Sequence, residues 1–318
     1  MLKYILKRVL QVIPMLLIVS FIVFSLIHVA PYDAIDSITT PNMSKEAVEI
    51  LRQKHGLDKP FLVQYVMWLK QILSGNFGYS LVNQQSIGQE LLIRIPNTIK
   101  LVLPAYITAL IIAIILGLVA GAHKGKFIDK LIDSICSVGI SMPTFWFAML
   151  LIYLLGYKLD MLPIIGMHTV GQEDSFRDFL QHFIMPYLVL TVAFFPDLTR
   201  YVRSSTFLQL SEDYVMVQQS FGASKREIFF KHVSKNVLLP IVTQIGLALP
   251  MLVTGAIITE SVFGWPGIGP YLMSATKALD FPIIMAVMLL SATLVILGNL
   301  LSDILYTIVD PRISQGDK

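Results

Sequence analysis

Residues 211–232 read SEDYVMVQQSFGASKREIFFKH, a polar and charged stretch in a chain of 318 residues that is 55% hydrophobic and only 14% charged. With a mean hydropathy of +0.71 the chain lies far from soluble composition, so its solvent is lipid and such a stretch needs a reason. It lies between two apolar runs, 183–202 and 237–262, each long enough for the roughly 20 residues that a bilayer-crossing helix needs. Four more runs, 9–29, 99–122, 132–157 and 282–309, predict an all-α membrane protein with six transmembrane helices. The first has a basic head in Lys3, Lys7 and Arg8. Its apolar core is too long for a secretory signal, and His28 stands where cleavage needs a small residue, so it reads as an uncleaved span.

Charge orients the spans, because short cytoplasmic loops carry excess Lys and Arg. With the N-terminus inside, the inner segments hold Lys3, Lys7, Arg8, Lys124, Lys126, Lys130, Arg200, Arg203, Lys225, Arg226, Lys231, Lys235, Arg312 and Lys318. The two short outer loops hold only Lys158, Arg177 and Lys277. Both termini are therefore expected in the cytoplasm, together with residues 211–232. The net charge of +3 is accounted for by this orientation and leaves no basic tract that calls for nucleic acid. A lone cysteine, Cys136, in an apolar run reads as a small buried hydrophobe and excludes a disulfide framework.

The organisation that follows has a tail and first span over 1–30, an extracytoplasmic helical insert over 31–98, and a transmembrane core over 99–318. In the insert, Ser44 can cap a helix that runs to His55, and Pro60 starts another over 61–73. There Leu62, Tyr65, Val66 and Leu69 form an apolar stripe. Two readings of the insert stay open: a cap on the outer end, or a docking surface for an external partner.

No nucleotide-binding, HExxH or GxSxG pattern occurs, so no catalytic, cofactor or metal residues are assigned. Polar residues in the spans are the remaining candidates, since an ionised group near the bilayer centre costs about 2.5–3.5 kcal/mol on insertion scales. Asp197, after Pro196, can pair with Arg200 at i+3 or serve as a gate or pathway residue. Glu260, Asn299 and Asp303 can be interfacial or line a central cavity. Gly117 and Gly121 form a GxxxG pattern that permits close helix approach.

The opening stretch resolves into two short capped helices. Ser211 is a plausible N-cap, Glu212 and Asp213 suit a first turn, and the helix reaches Phe221 before Gly222 ends it. Tyr214, Val217 and Phe221 fall at i, i+3 and i+7. Ser224 and Glu227 then form a capping box for a second helix. A connector needs only a few residues, so the pair reads as aromatic anchors with a charged rim for the groove of a cytosolic partner. The alternative is an amphipathic segment on the inner leaflet, with Lys225, Arg226, Lys231 and Lys235 toward anionic lipid.

The sequence DYVMVQQSFGASKREIFFKHVSKNVLLPI, residues 213–241, resembles the cytoplasmic coupling motif of ABC-importer permeases, above all the oligopeptide, dipeptide and nickel permease family. GLDKPFLVQYVMWL (56–69), IPNTIKL (95–101), ITESVFGWPGIG (258–269), DFP (280–282) and IVDPRI (308–313) look like that family's hallmarks in order, so the resemblance covers nearly the whole chain. It implies the type I importer permease fold in a bacterial inner membrane. The partners it implies are a homologous second permease, two cytosolic ABC ATPase subunits that use ATP and Mg, and an extracytoplasmic substrate-binding protein. ATPase coupling falls, by the motif, to Glu212, Asp213, Tyr214, Val217, Gln218, Phe221, Gly222, Ala223, Ser224, Lys225 and Glu227, with Gly222 as the motif glycine. Gln218 and Ser220 stand where small alanines are common, and FFPDLTR (194–200) is less typical of the family. The expected cargo is a di- or oligopeptide, with nickel or a metal chelate as the alternative. A membrane receptor or scaffold without transport shares the topology and the docking helices.

Overall fold

The computed structural model describes residues 2–29, 43–54, 56–238, 241 and 256–309. Helices account for nearly all regular structure, and the only strand-like feature among the described residues is the Tyr79–Ser86 bridge. The helices are α1 (Leu2–His28), α2 (Lys45–Lys54), α3 (Phe61–Leu73), α4 (Ile87–Ala122), α5 (Phe127–Ser141) and α6 (Thr144–Leu151). A π-helical segment, Ile152–Lys158, continues α6. Then come α7 (Phe176–Leu210), α8 (Asp213–Ser220), α9 (Lys225–Ile228) with a second π-helical turn (Phe229–Val233), α10 (Ile257–Val262), α11 (Ile268–Lys277) and α12 (Phe281–Val309).

Four of these, α1, α4, α7 and α12, are long and apolar enough to cross a membrane. The expected third span, 132–157, is not one straight helix. It breaks between α5 and α6 with a bend of 92°, because Pro143 forces an extended residue before it and starts α6 as its N-cap. Counted as one broken span, that pair makes five. Most of the expected fifth span, 237–262, lies outside the described residues.

Helix α4 begins at Ile87, twelve residues before the apolar run that predicted it. Its polar first turns are held by the Glu90–Arg94 pair at i, i+4, 2.7 Å apart. At 36 and 35 residues, α4 and α7 are about 50 Å long at 1.5 Å per residue, well beyond a hydrocarbon core of about 30 Å.

The α4–α7 pair is the axis of the molecule, and the GxxxG pattern makes it possible. A β-carbon on Gly117 would sit 2.5 Å from Val202 Cβ, and one on Gly121 the same distance from Thr206 Cβ. Helix α5 crosses α7 in the same way, with Gly139 against Pro196.

The insert packs on α1 through part of the expected stripe. Leu62 and Val66 are exposed, while Phe61, Tyr65 and Trp68 interlock with Phe21 and Phe24 of α1. Ser20 Oγ and the Tyr65 hydroxyl hydrogen-bond at 2.9 Å. Tyr65 takes its expected place, and the neighbouring rings of Phe61 and Trp68, which bury more area, join it where Leu62 and Val66 were expected. Ser44 caps α2 as expected, accepting from the Ala47 N–H at 3.2 Å; His55, the expected end of that helix, lies outside the described residues.

Candidate functional site

One end of the α4–α7 pair carries Lys124, Lys126 and Lys130, and α8 and α9 lie against this basic end. Their backbone is fixed by local chemistry. Ser211 does not cap α8: its hydroxyl donates to Phe207 O at 3.0 Å and closes α7, so Glu212 takes the N-cap position. Helix α8 is then eight residues long and ends in a Schellman motif. The Gly222 N–H donates to Gln219 O at 2.9 Å and the Ala223 N–H to Gln218 O at 3.1 Å. The motif needs a left-handed residue, and Gly222 supplies it with φ +84°.

Ser224 caps α9, accepting from the Glu227 N–H at 3.2 Å. The reciprocal half of the capping box does not form, because the Glu227 carboxylate accepts from Lys231 Nζ at 2.6 Å instead. That hydrogen bond holds the Glu227 carboxyl below its ordinary range.

The two faces of α8 have different fates. Val215 is buried among Val202, Ile228, Val233 and Val237 and locks the elbow to α7. Tyr214, expected as an outward anchor, turns the same way. Its hydroxyl donates to Gln209 Oε1 at 3.1 Å, and burial pushes the phenol up. Outward stand Val217 at 50% exposure and Phe221 at 84%, joined by Met216 at 69%, which sequence spacing did not single out. Asp213, Lys225 and Arg226 are exposed around them. A cavity of about 770 Å³, lined by Leu118, Leu210, Val215, Phe229 and Phe230 among others, separates the elbow from α4.

A buried charge pair braces the elbow. Asp129, 2% exposed at the start of α5, accepts from Arg203 Nε and Nη2 at 2.5 and 2.9 Å and from the Gly125 N–H at 2.8 Å. Sequence reasoning missed this pair, since Asp129 lies 74 residues from Arg203. A lone aspartate in a helical first turn reads only as a dipole partner.

The expected Asp197–Arg200 pair does not form. Arg200 turns to α5, donating to Ser137 Oγ at 2.6 Å and lying 3.4 Å from Asp133, while Asp197 is exposed. Asp303 pairs with Arg8 of α1 at 3.0 Å, and Asn299 shares with both a cavity of about 380 Å³ between α1 and α12. Of the four candidates, Asn299 and Asp303 thus share one cavity, while Asp197 and Glu260 are not brought to it.

Glu260 sits in a knot at the opposite end of the bundle, 1% exposed. Its Oε2 accepts from the Gly269 N–H at 2.7 Å, and a β-carbon on Gly269 would come 2.6 Å from Ile257 Cα. The same loop is clamped on α4: the Ile268 N–H donates to Thr98 Oγ1 at 2.9 Å, Trp265 Nε1 to Asn97 O at 2.8 Å, and Asn97 Nδ2 to Pro266 O at 3.1 Å. The Arg94 guanidinium lies over the Tyr271 ring at 4.6 Å, and burial pushes that phenol up to about 12. Asp280 fastens the insert beside it, accepting from Ser80 Oγ at 2.5 Å. The hallmark stretches 95–101, 258–269 and 280–282 are therefore one assembly of backbone clamps.

Known proteins match the chain from end to end. The family profile described as "Binding-protein-dependent transport system inner membrane component" matches residues 113–315, and a profile for the N-terminal part of such membrane components matches residues 1–102. The oligopeptide transport system permease protein AppB of Bacillus subtilis is 37% identical over 98% of this chain and 99% of its own. The glutathione transport system permease protein GsiC of Salmonella typhimurium is 35% identical over the same shares. A crystal structure of the MetNI methionine ABC transporter, inward facing, matches with a TM-score of 0.52 at 16% identity, covering 69% of this chain and 95% of that one. This last likeness establishes the shared fold.

Proposed function

The chain belongs to the family of binding-protein-dependent transport system inner membrane components, and from that premise we propose that it is the permease subunit of an ATP-driven importer of di- and oligopeptides. In this reading six spans cross the inner membrane with both termini inside. The insert over residues 31–98 faces outward toward the substrate-binding protein, and residues 99–318 form the core. A homologous second permease completes the path, and two ABC ATPase subunits bind and hydrolyse ATP with Mg at the cytoplasmic face.

The observation that carries the reading is the two-faced helix α8. Its inner face is locked to α7 through Val215, while Val217 and Phe221 stand free on the basic end. Exposed aromatic and aliphatic anchors with a charged rim fit a groove on a partner protein. A rigid elbow then transmits the partner's movement into α7. When the ATPases close on ATP, the elbows of the two permeases are drawn together and the spans open outward to take peptide from the binding protein; hydrolysis resets them.

The test is Phe221→Asp in the reconstituted complex. Binding-protein-stimulated ATP hydrolysis and peptide uptake should both be lost, with the variant inserted and thermally as stable as wild type. Normal uptake by that variant rules the coupling assignment out.

A further inference from the structure

Below Pro196, α7 presents a group of side chains that the coupling reading does not use. Phe194, Asp197 and Tyr201 lie at i−3, i and i+4, where residues on a helix are neighbours on one face. Asp197 is exposed, Tyr201 is 38% exposed, and Arg200 is engaged with Ser137 and Asp133. Among the described residues, Asp197 has no hydrogen-bond or ion-pair partner.

Its depth matters. The adjacent Pro196 packs on Gly139, seven residues into the apolar run that begins at residue 132 and so about 10 Å inside it at 1.5 Å per residue. A carboxylate at this level, inside an apolar span, cannot face lipid cheaply; it needs water or a cation beside it. A carboxylate with aromatic residues one turn away on either side suits an ammonium group, which the charge pairs with and the partly exposed Tyr201 ring attracts, while the Phe194 ring packs against Tyr106 of α4.

The same face continues toward the opposite end of α7. Phe179, Phe183 and Tyr187 stack in sequence at 5.6 and 5.0 Å. They end at a cavity of about 600 Å³ whose walls include Phe179 and Phe183. Phe179 and Phe183 also pack on Trp265, and the Tyr187 hydroxyl donates to Thr108 Oγ1 at 2.8 Å, so the rings are half-buried and their remaining surface supplies apolar contact between that cavity and the level of Tyr187.

Resting on the importer reading, we propose that Asp197, with Phe194 and Tyr201, forms a site on the translocation path for the free amino terminus of a peptide in transit. The ring ladder above it takes the peptide's apolar side chains. The anionic group reads the one feature that every unblocked peptide shares, whatever its sequence.

The experiment uses the complete importer in proteoliposomes. The chain's single cysteine, Cys136, is buried, so a thiol introduced in this chain can be read on the chain itself, separated from its partners after labelling with a charged, membrane-impermeant thiosulfonate. The Asp197→Cys thiol should react, and react more slowly when trialanine is transported. The Leu188→Cys thiol, nine residues and half a helical turn out of phase, should not react. Uptake of trialanine should fall about tenfold in Asp197→Asn, the factor that 1.4 kcal/mol represents, and be retained in Asp197→Glu, with binding-protein-stimulated ATP hydrolysis still present. An unreactive Asp197→Cys thiol, the outcome if a basic side chain of the second permease occupies Asp197, or wild-type uptake by Asp197→Asn, overturns the proposal. If the wild-type complex moves no peptide, the importer reading fails, and thiol reactivity still decides whether Asp197 faces water.

Discussion

The two ends of the α4–α7 pair are built on opposite plans. At the knot, Trp265 is fully buried, its ring N–H is bonded to Asn97 O, and the loop's backbone donors find Thr98 and Glu260. At the elbow, Phe221 stands 84% exposed on a helix of eight residues. The elbow's turn and the start of α9 are also held by backbone hydrogen bonds, through the Schellman motif and the Ser224 cap. The difference lies in the side chains: the knot's are buried within the chain, and the outer ones of the elbow stand exposed, where the proposed coupling would use them.

That contrast breaks first at Trp265. Trp265→Ala removes a fully buried ring and its hydrogen bond, and core aromatic truncations cost about 3–5 kcal/mol. The purified variant should show a clear fall in thermal midpoint and in yield of inserted protein. Phe221→Ala, at the other end, should leave the midpoint unchanged. Equal midpoints for Trp265→Ala and wild type would mean that the knot is not the clamp described.

Next in size is the brace. Arg203→Ala leaves the Asp129 carboxylate buried with only the Gly125 N–H, and breaking a buried pair by removing one partner costs roughly 3 kcal/mol. Since Arg203 keeps 29% of its side chain exposed, water relieves part of this and the loss should fall below that of Trp265→Ala. Adding Asp129→Asn should recover much of the stability, measured by the same melting curves, because the double variant no longer buries an unpaired charge. A double variant less stable than the single one would show that the pair acts through something other than charge.

Much of this was legible in the sequence, and the lapses have a pattern. The GxxxG approach, the Gly222 turn and the Ser224 cap were readable because each depends on one residue type at one local position. The broken third span was missed because hydropathy sums over Pro143, although its backbone restriction decides the path. Arg200 was paired with the wrong aspartate because i, i+3 spacing offers Asp197, and only the packing of α5 brings Asp133 and Ser137 near. Tyr214 was assigned to the outer face by its spacing with Val217 and Phe221, but its long side chain reaches back to Gln209. Local turn chemistry is written in adjacent residues; which face a side chain uses is decided by elements far away in the chain.

The smallest expected effect tests whether the elbow's angle matters apart from its surface. No atom lies within 4 Å of a β-carbon added to Gly222, so Gly222→Ala brings no steric contact, and its cost is the left-handed backbone alone, roughly 1–2 kcal/mol. Asparagine tolerates that conformation better, so Gly222→Asn should be milder than Gly222→Ala. Both variants keep Val217 and Phe221 available to a partner. If the turn sets the direction of force, binding-protein-stimulated ATP hydrolysis should persist in Gly222→Ala while peptide taken up per ATP falls a few-fold, about what 1 kcal/mol represents, with Gly222→Asn between it and wild type. Loss of both activities together would instead mean that the turn only holds the surface in place.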